Sequence, residues 1–321
     1  MYKVIKNGKG NIVAKIVADS INTSGNRITT FELEYPRFIH SELMTHRLFS
    51  RNAMSSRAVP VSKMIEQVRN NPATPIHWGK NQSGMQAKTE HTEGVLDNTG
   101  EAFSVQDWWY LSAEEAASSA EAMEEAGYHK QIVNRLLEPF QMMKTVLTAT
   151  EFSNFFWLRL DEDAQPEIHE LALCMKSAYD ESYPEELVSG EWHTPYVEHY
   201  RYEDGLKYGV EDSEGYTRFI TAEEAIAISS SCCAQVSYRN IDNSFEKAMK
   251  VYERLGVGGS KIHASPFEHV AKPMKECVFD YNNPDLKPEE GITHVDTDQN
   301  YWSGNFKGWI QHRQLLENHC N

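Results

Sequence analysis

The sequence predicts an α+β fold: a single intertwined domain with a mixed sheet and long core helices. Three observations carry this expectation. Residues 11–38 alternate apolar and polar positions as strands do. Residues 141–182 hold Phe152, Phe155, Phe156, Leu171, Leu173 and Met175 at helical spacing, which suits a core helix or helix pair. No low-complexity linker divides the 321 residues, so the domain spans 1–321.

The elements follow in order. NIVAKIVADS and RITTFELEYPRF flank Ser24-Gly25-Asn26 and read as a hairpin whose second strand ends at Pro36. From Phe38 to about Phe49 the pattern turns helical, and after Arg47 it dissolves into a polar loop, Ser50 to Arg57. Residues 71–104 are rich in turn formers and form a surface excursion. A capping box at Ser112 and Glu115 opens a helix that Gly127 stops, and His129 to Phe140 is helical again until Pro139. Residues 184–220 are a second, aromatic-spotted excursion. Thr221/Glu224 and Asn243/Glu246 open two further helices, the latter ending before Gly256, and Trp309 to Arg313 reads as a terminal aromatic helix.

Composition narrows the function. With 40% hydrophobic and 11% aromatic residues the chain can bury a core, which excludes a disordered or fibrous protein. A net charge of -16, spread over the chain, opposes coating of DNA or RNA, so an anionic ligand needs a local pocket of arginines. Cys174, Cys232, Cys233, Cys277 and Cys320 are an odd set without metal-type spacing, so neither a disulfide framework nor a structural metal is expected. The N-terminal segment lacks a signal-peptide core and no apolar run is long enough to span a bilayer, so the expectation is a soluble protein of the cytoplasm, or of a host's cytoplasm if viral.

Residues 45–57 place Arg47, Arg51 and Arg57 with His46, Asn52 and Ser50, Ser55 and Ser56 directly after an apolar segment. Guanidinium groups bind phosphate bidentately, and hydroxyls and loop N–H groups complete an anion site; the bland alternative is a solvated basic turn. Arg135 and Arg159 also enter amid apolar residues, where charge needs a partner. Each could pair with a nearby acid, Glu138 or Asp161, or serve a nucleotide.

The run PRFIHSELMTHRLFSRNAMSSR, residues 36–57, resembles the signature of the flavin-dependent thymidylate synthases: an arginine-histidine-arginine triplet followed by spaced serine, asparagine, serine and arginine. His46, Arg47, Ser50, Asn52, Ser55 and Arg57 fall on that pattern. GYHKQIVNRLLEP and TATEFSNFFWLRLDEDAQPEI are similar to the family's second nucleotide-binding arginine and its long active-site helix. Cys233 to Tyr238 and His263 to His269 resemble segments that in the family precede the triplet, which implies a circularly permuted, phage-type variant; permutation is tolerated where termini lie close at the surface.

The resemblance implies a flavin-dependent thymidylate synthase-like fold and conversion of dUMP to dTMP. Methylenetetrahydrofolate would be the carbon donor, reduced FAD the hydride donor and NADPH the reductant. It implies Arg159 as the catalytic residue that polarises uracil, and Glu42, Ser55, Ser56, Arg57, Arg135 and Arg159 as dUMP contacts. Thr45, His46, Arg47, Asn52, Thr148, Asn154, His263 and Ser265 would contact FAD. No cysteine nucleophile, metal, nucleic acid or membrane is implied, and the assembly would be a homotetramer with shared active sites.

The chain departs from the pattern at Thr45 (an arginine in the family), Glu42 (a glutamine), Ala53 (an acid) and Thr148 (an asparagine). Glu42 is the most suggestive, because a carboxylate accepts from an exocyclic amine where uracil presents an acceptor. Hydroxymethyl transfer or a cytosine base therefore stay open within the family, with cytosine ranked below uracil because Arg159 stands where the resemblance places the uracil-activating arginine. Outside it, the rivals are an inactive nucleotide-binding or scaffold protein and a metal hydrolase using His193, Glu198 and His199. Leu255 to Lys261 is glycine-rich but misses the phosphate-loop order, and Gln311-His312-Arg313 echoes the triplet without the serines.

Overall fold

The fold is described from a computed structural model covering residues 4–212, 214–237, 242, 244–256, 262–275 and 288–320. Tyr238, Asn243, Cys277 and the glycine-rich residues 257–261 lie outside the described residues.

The predicted hairpin is the centre of the molecule. Strands β2 (Val13–Asn22) and β3 (Arg27–Pro36) pair antiparallel with a bulge between Ile16 and Ala18, and Gly25, at φ 81°, turns the chain between them. β1 (Ile5–Asn7) pairs with the start of β2. On the other side β3 pairs along its length with β5 (Met142–Ala149), and β5 pairs with the edge strand β4 (Ser50–Ala53). The short β6 (Glu185–Leu187) lies parallel to the end of β2, completing a six-stranded mixed sheet.

Because side chains alternate across a strand, the sheet divides its residues between two covers. One face presents Ile16, Phe31, Leu33, Met143 and Leu147 to helices α3 (Ser153–Arg159) and α4 (Pro166–Glu181), whose Phe155, Phe156, Ile168, Leu171 and Met175 fill the main core. Each such side chain, fully withdrawn from water, contributes about 1.5–3 kcal/mol before the entropy of ordering is subtracted. The opposite face carries Ile28, Thr30, Val146 and Thr148 and is covered by the C-terminal third, through Trp309, Phe306, Ala271, Cys233 and Val236. A side cluster packs α1 (Val61–Asn70) on α2 (Val105–Glu125), where the small Ala113, Ala117 and Ala120 admit Met64, Ile65 and Val68.

Several expectations need correction. Residues 50–53 are a strand, not loop, and 142–149 are a strand rather than helix: Val146, Thr145 and Thr148 are β-branched and fit a sheet buried on both faces. Thr148 therefore stands in the sheet and not in the long helix. Of the core helix or helix pair expected there, the pair is found, parted at residues 160–165, with Gln165 capping the second helix and Pro166 in its first turn. Leu173 is 44% exposed, off the apolar stripe. The α2 cap is Ser104, accepting from the Asp107 N–H, while the Ser112 hydroxyl donates within the helix to the Trp108 carbonyl. From Phe38 to Phe49 only Arg37–Ile39 and His40–Leu43 are helical turns, and in the stretch 129–140 only Lys130–Val133 and Glu138–Phe140 are helical.

The 71–104 segment is largely irregular, with a two-residue hairpin at Val95–Leu96 and Ala102–Phe103. The 184–220 segment is instead structured. Beyond β6 it forms a three-stranded sheet, Glu198–Tyr202, Gly205–Glu211 and Thr217–Ile220, which packs Tyr208 and Val210 on Ile228 and Cys232 of α5 (Ala222–Ala234). The Thr221/Glu224 capping box opens α5 as predicted, and α6 (Phe245–Arg254) begins after Ser244. Trp309–Gln311 is a strand paired with Ala271–Pro273, and only His312–Leu315 turns helically. No described helix is long and apolar enough to cross a membrane.

Candidate active site

The site begins where β3 leaves the sheet. After Pro36 the chain turns through His40–Leu43, whose exposed carbonyls are capped: Thr45 Oγ donates to the Glu42 carbonyl at 2.7 Å, and the Arg51 guanidinium donates to those of Leu43 and His46 at 3.1 and 3.2 Å. This cation at the end of a helical turn fixes the path into β4. His46 is thereby buried, its ring edge-on to Phe155 at 4.9 Å and beside Phe49.

Arg159 arrives from the last turn of α3. Its Nε–H donates to His46 Nε2 at 3.0 Å, Nη1 to Glu42 Oε2 at 3.2 Å and Nη2 to Thr45 Oγ1 at 3.4 Å. The partner of Arg159 is thus Glu42, not the adjacent Asp161. Burial, with Arg159 and then Arg51 nearby, pushes the His46 imidazole down to about 4, so the ring is neutral and accepts at Nε2. Glu42, Thr45, His46 and Arg159, named separately from sequence, are brought together.

The loop after β4 continues this surface. Asn134 Nδ2 holds the Ser56 and Val59 carbonyls, Ser55 N–H donates to Ser237 Oγ at 3.0 Å, and Arg57 N–H donates to Ser55 Oγ. Ser56 is buried and Arg57 exposed. Among the described residues, the guanidinium groups of Arg47 and Arg57 have no hydrogen-bond or ion-pair partner. Arg135 is exposed and pairs with Glu138 at 2.7 Å, the same carboxylate that receives Arg37 at 2.9 Å, so this trio carries a net positive charge.

The remaining expected residues are placed differently. Asn52 donates to the Cys233 carbonyl at 3.2 Å, while its buried Oδ1 has no partner. Asn154, His263 and Ser265 are exposed. Thr148 is fully buried and engaged, its hydroxyl bonded to Thr30 Oγ1 at 2.7 Å and His269 Nδ1 at 2.8 Å. It belongs to a buried chain, since Thr30 also meets His193 Nε2, whose Nδ1 meets Ser20. Burial lowers His193 well below its ordinary value and His269 to about 3, leaving both neutral.

Of the segments that in the family precede the triplet, Cys233 and Ser237 bond Asn52 of β4 and Ser55 just after it. Gln311 Nε2 donates to Ser50 Oγ at 3.3 Å and to Asn305 Oδ1 at 3.0 Å. The sequence counts Arg51 among the arginines of the anion site, whereas the structure turns it onto the Leu43 and His46 carbonyls, and the sequence gives no site role to Asn305 or Gln311. Arg51 was visible within the motif, but its task, binding carbonyls, has no sequence signal.

Other chemistry is weaker. Among the described residues no cluster of His, Cys, Asp or Glu is placed to hold a metal ion. His193 has both ring nitrogens engaged by hydroxyls, and His199 bonds Thr194 and Glu185. Burial pushes Cys174 up to about 11 and Cys232 up to about 12, and Cys233 well above its ordinary value, so these thiols are poor nucleophiles.

The exposed Arg47 and Arg57 give this α+β fold a positive surface where the chain leaves β3 and enters β4. The model of the thymidylate synthase complementing protein family, the flavin-dependent thymidylate synthases, matches residues 27–185, and over that segment the chain is similar to this family. No curated protein matches the chain. The family supports an enzyme activity of thymidylate synthase type in nucleotide biosynthesis, and it implies FAD.

Proposed function

We propose that this protein is a flavin-dependent one-carbon transferase acting at C5 of a pyrimidine deoxynucleoside monophosphate, as in the conversion of dUMP to dTMP with methylenetetrahydrofolate and NADPH. The observation that carries the reading is the convergence of Arg159 from α3 with Glu42, Thr45 and His46 from the motif segment.

Arg57 supplies a phosphate clamp with Ser55 and Ser56, because an unpaired guanidinium beside hydroxyls and loop N–H groups is what a phosphate monoester requires. Arg135, sharing Glu138 with Arg37, adds positive field at the same anion. Arg159 addresses the polar edge of the base, held in place by His46 and Thr45. Catalysis then rests on positioning and electrostatics, with no thiol attack, in keeping with the raised thiols.

Residues suited to FAD are present: the free Arg47 guanidinium for a diphosphate, the Thr45 hydroxyl and neutral His46, the orphaned Asn52 Oδ1, and the exposed Asn154, His263 and Ser265. Thr148 does not fit a direct contact on this chain, because its hydroxyl is satisfied inside the sheet. When bound, the flavin supplies the redox step. Met44, Leu48, Trp157 and Leu158 are exposed on the two segments that form the cluster, an apolar rim suited to subunit contact and so to a homotetramer with shared sites. The packing of Cys233 and Ser237 on Asn52 and Ser55 supports the circularly permuted reading.

The test is Arg159→Ala. Flavin retention, read from the visible absorption of the reconstituted protein, should persist while turnover falls about 100-fold or more. Normal turnover would remove Arg159 from the chemistry.

A further inference from the structure

Glu42 and Arg159 form one recognition element, and its donor and acceptor pattern can be read atom by atom. Arg159 commits Nε–H to His46, one Nη1–H to Glu42 Oε2 and one Nη2–H to Thr45. A guanidinium has five N–H donors, so each terminal nitrogen keeps one free. Glu42 Oε2 is occupied, while Oε1 has no partner among the described residues, and the carboxylate is 36% exposed. The accessible edge of the pair thus offers two donors beside one strong acceptor.

That order matches one pyrimidine better than the other. Cytosine presents O2 and N3 as acceptors and its exocyclic N4 amine as a donor, so all three can be met together. Uracil presents acceptor, donor, acceptor, and its O4 would face the Glu42 carboxylate, two acceptors without a proton between them. Charge points the same way. A cation that helps uracil lose its N3 proton must be uncompensated, whereas here Glu42 neutralises Arg159 at 3.2 Å; cytosine N3 has no proton to lose.

Resting on the proposed C5 chemistry, the geometry points to Glu42 as the specificity-determining residue that makes a cytosine deoxynucleotide the preferred substrate over its uracil counterpart. Glu42 acts by accepting the N4 amine through Oε1 and by holding the Arg159 fork toward O2 and N3. Thr45 supports the arrangement from the other terminal nitrogen.

The experiment is calorimetric titration of the full-length, FAD-reconstituted protein and its Glu42→Gln variant with dCMP and with dUMP. Wild-type protein should bind dCMP about ten-fold more tightly than dUMP, because the wrong base leaves a polar group of the site unmet. Glu42→Gln should bring the two within about three-fold, since an amide can turn either its oxygen or its NH₂ to the base. Equal binding by wild type, or a preference unchanged in the variant, overturns the role of Glu42 and leaves the pyrimidine-nucleotide reading standing. Binding of neither nucleotide overturns both. Where circular dichroism shows Glu42→Gln to be poorly folded, Glu42→Ala is titrated in its place and should likewise lose the dCMP preference; a retained preference overturns the role of Glu42.

Discussion

The Nε–H of Arg159 donates to Nε2 of His46 at 3.0 Å, which places the imidazole proton on Nδ1 and requires a neutral ring. The same neutrality recurs at His312, pushed down to about 4 by burial and Lys272, and at His269, pushed down to about 3 by burial. For each, the folded value lies below the ordinary one, so the unfolded chain takes up protons first as the solution is acidified. Stability contributed by these groups is present above about pH 6.5 and is lost as pH falls toward about 4. Urea denaturation between about pH 7.5 and 4.5 should show a midpoint that falls steadily with acid. A flat profile would mean that these imidazoles are not held neutral.

Arg57 has no side-chain partner among the described residues, so Arg57→Ala should leave the melting temperature unchanged. If it is the phosphate clamp, loss of a charge-assisted hydrogen bond costs about 1.5–3 kcal/mol, or roughly ten- to hundred-fold in nucleotide affinity. Calorimetry with the nucleoside beside the nucleotide isolates the effect: the nucleoside should bind both proteins alike. Unchanged nucleotide affinity would place the phosphate elsewhere.

Thr148 is a structural joint in this fold. Thr148→Val should strand His269 Nδ1 in the interior, where an unmet polar group costs about 1–3 kcal/mol, while Thr30 keeps its bond to His193. A lower urea midpoint with an unchanged slope is the expected result. Unaltered stability, with weakened flavin retention, would instead restore Thr148 to the cofactor.

Cys174→Ala and Cys232→Ala should remain active, because thiols raised to about 11 and 12 hold almost no thiolate near neutrality. Alkylation at pH about 8 should reach the exposed Cys320 well before either. Abolished turnover in a folded variant would point to a thiol mechanism.

The parts of the fold visible in the sequence are those set by local signals. The β2–β3 hairpin follows from alternation around Ser24-Gly25-Asn26, and α5 from its Thr221/Glu224 box. β4 and β5 were misread because both are decided by partners. Ser50–Ala53 looks like polar loop until it is paired with Met142–Ala149, and the latter, buried on both faces, loses the alternation that marks a strand. The chain 198–220 likewise becomes a sheet only by burying Tyr208 and Val210 on α5.

The site divides in the same way. The residue types of the motif announced an anion site, and Glu42, Thr45, His46 and Arg159 do converge. That Glu42 is bonded to Arg159 across more than a hundred residues of chain, and that Arg51 caps carbonyls instead of facing solvent, are tertiary facts no spacing encodes.

The most direct test of the central claim is mass spectrometry of the nucleotide after incubation of the purified protein with FAD, NADPH, methylenetetrahydrofolate and either dCMP or dUMP. A product carrying one added carbon at C5 is the predicted result, formed faster from dCMP. Recovery of both nucleotides unchanged, from protein shown to hold FAD, would contradict one-carbon transfer and leave a nucleotide-binding protein in its place.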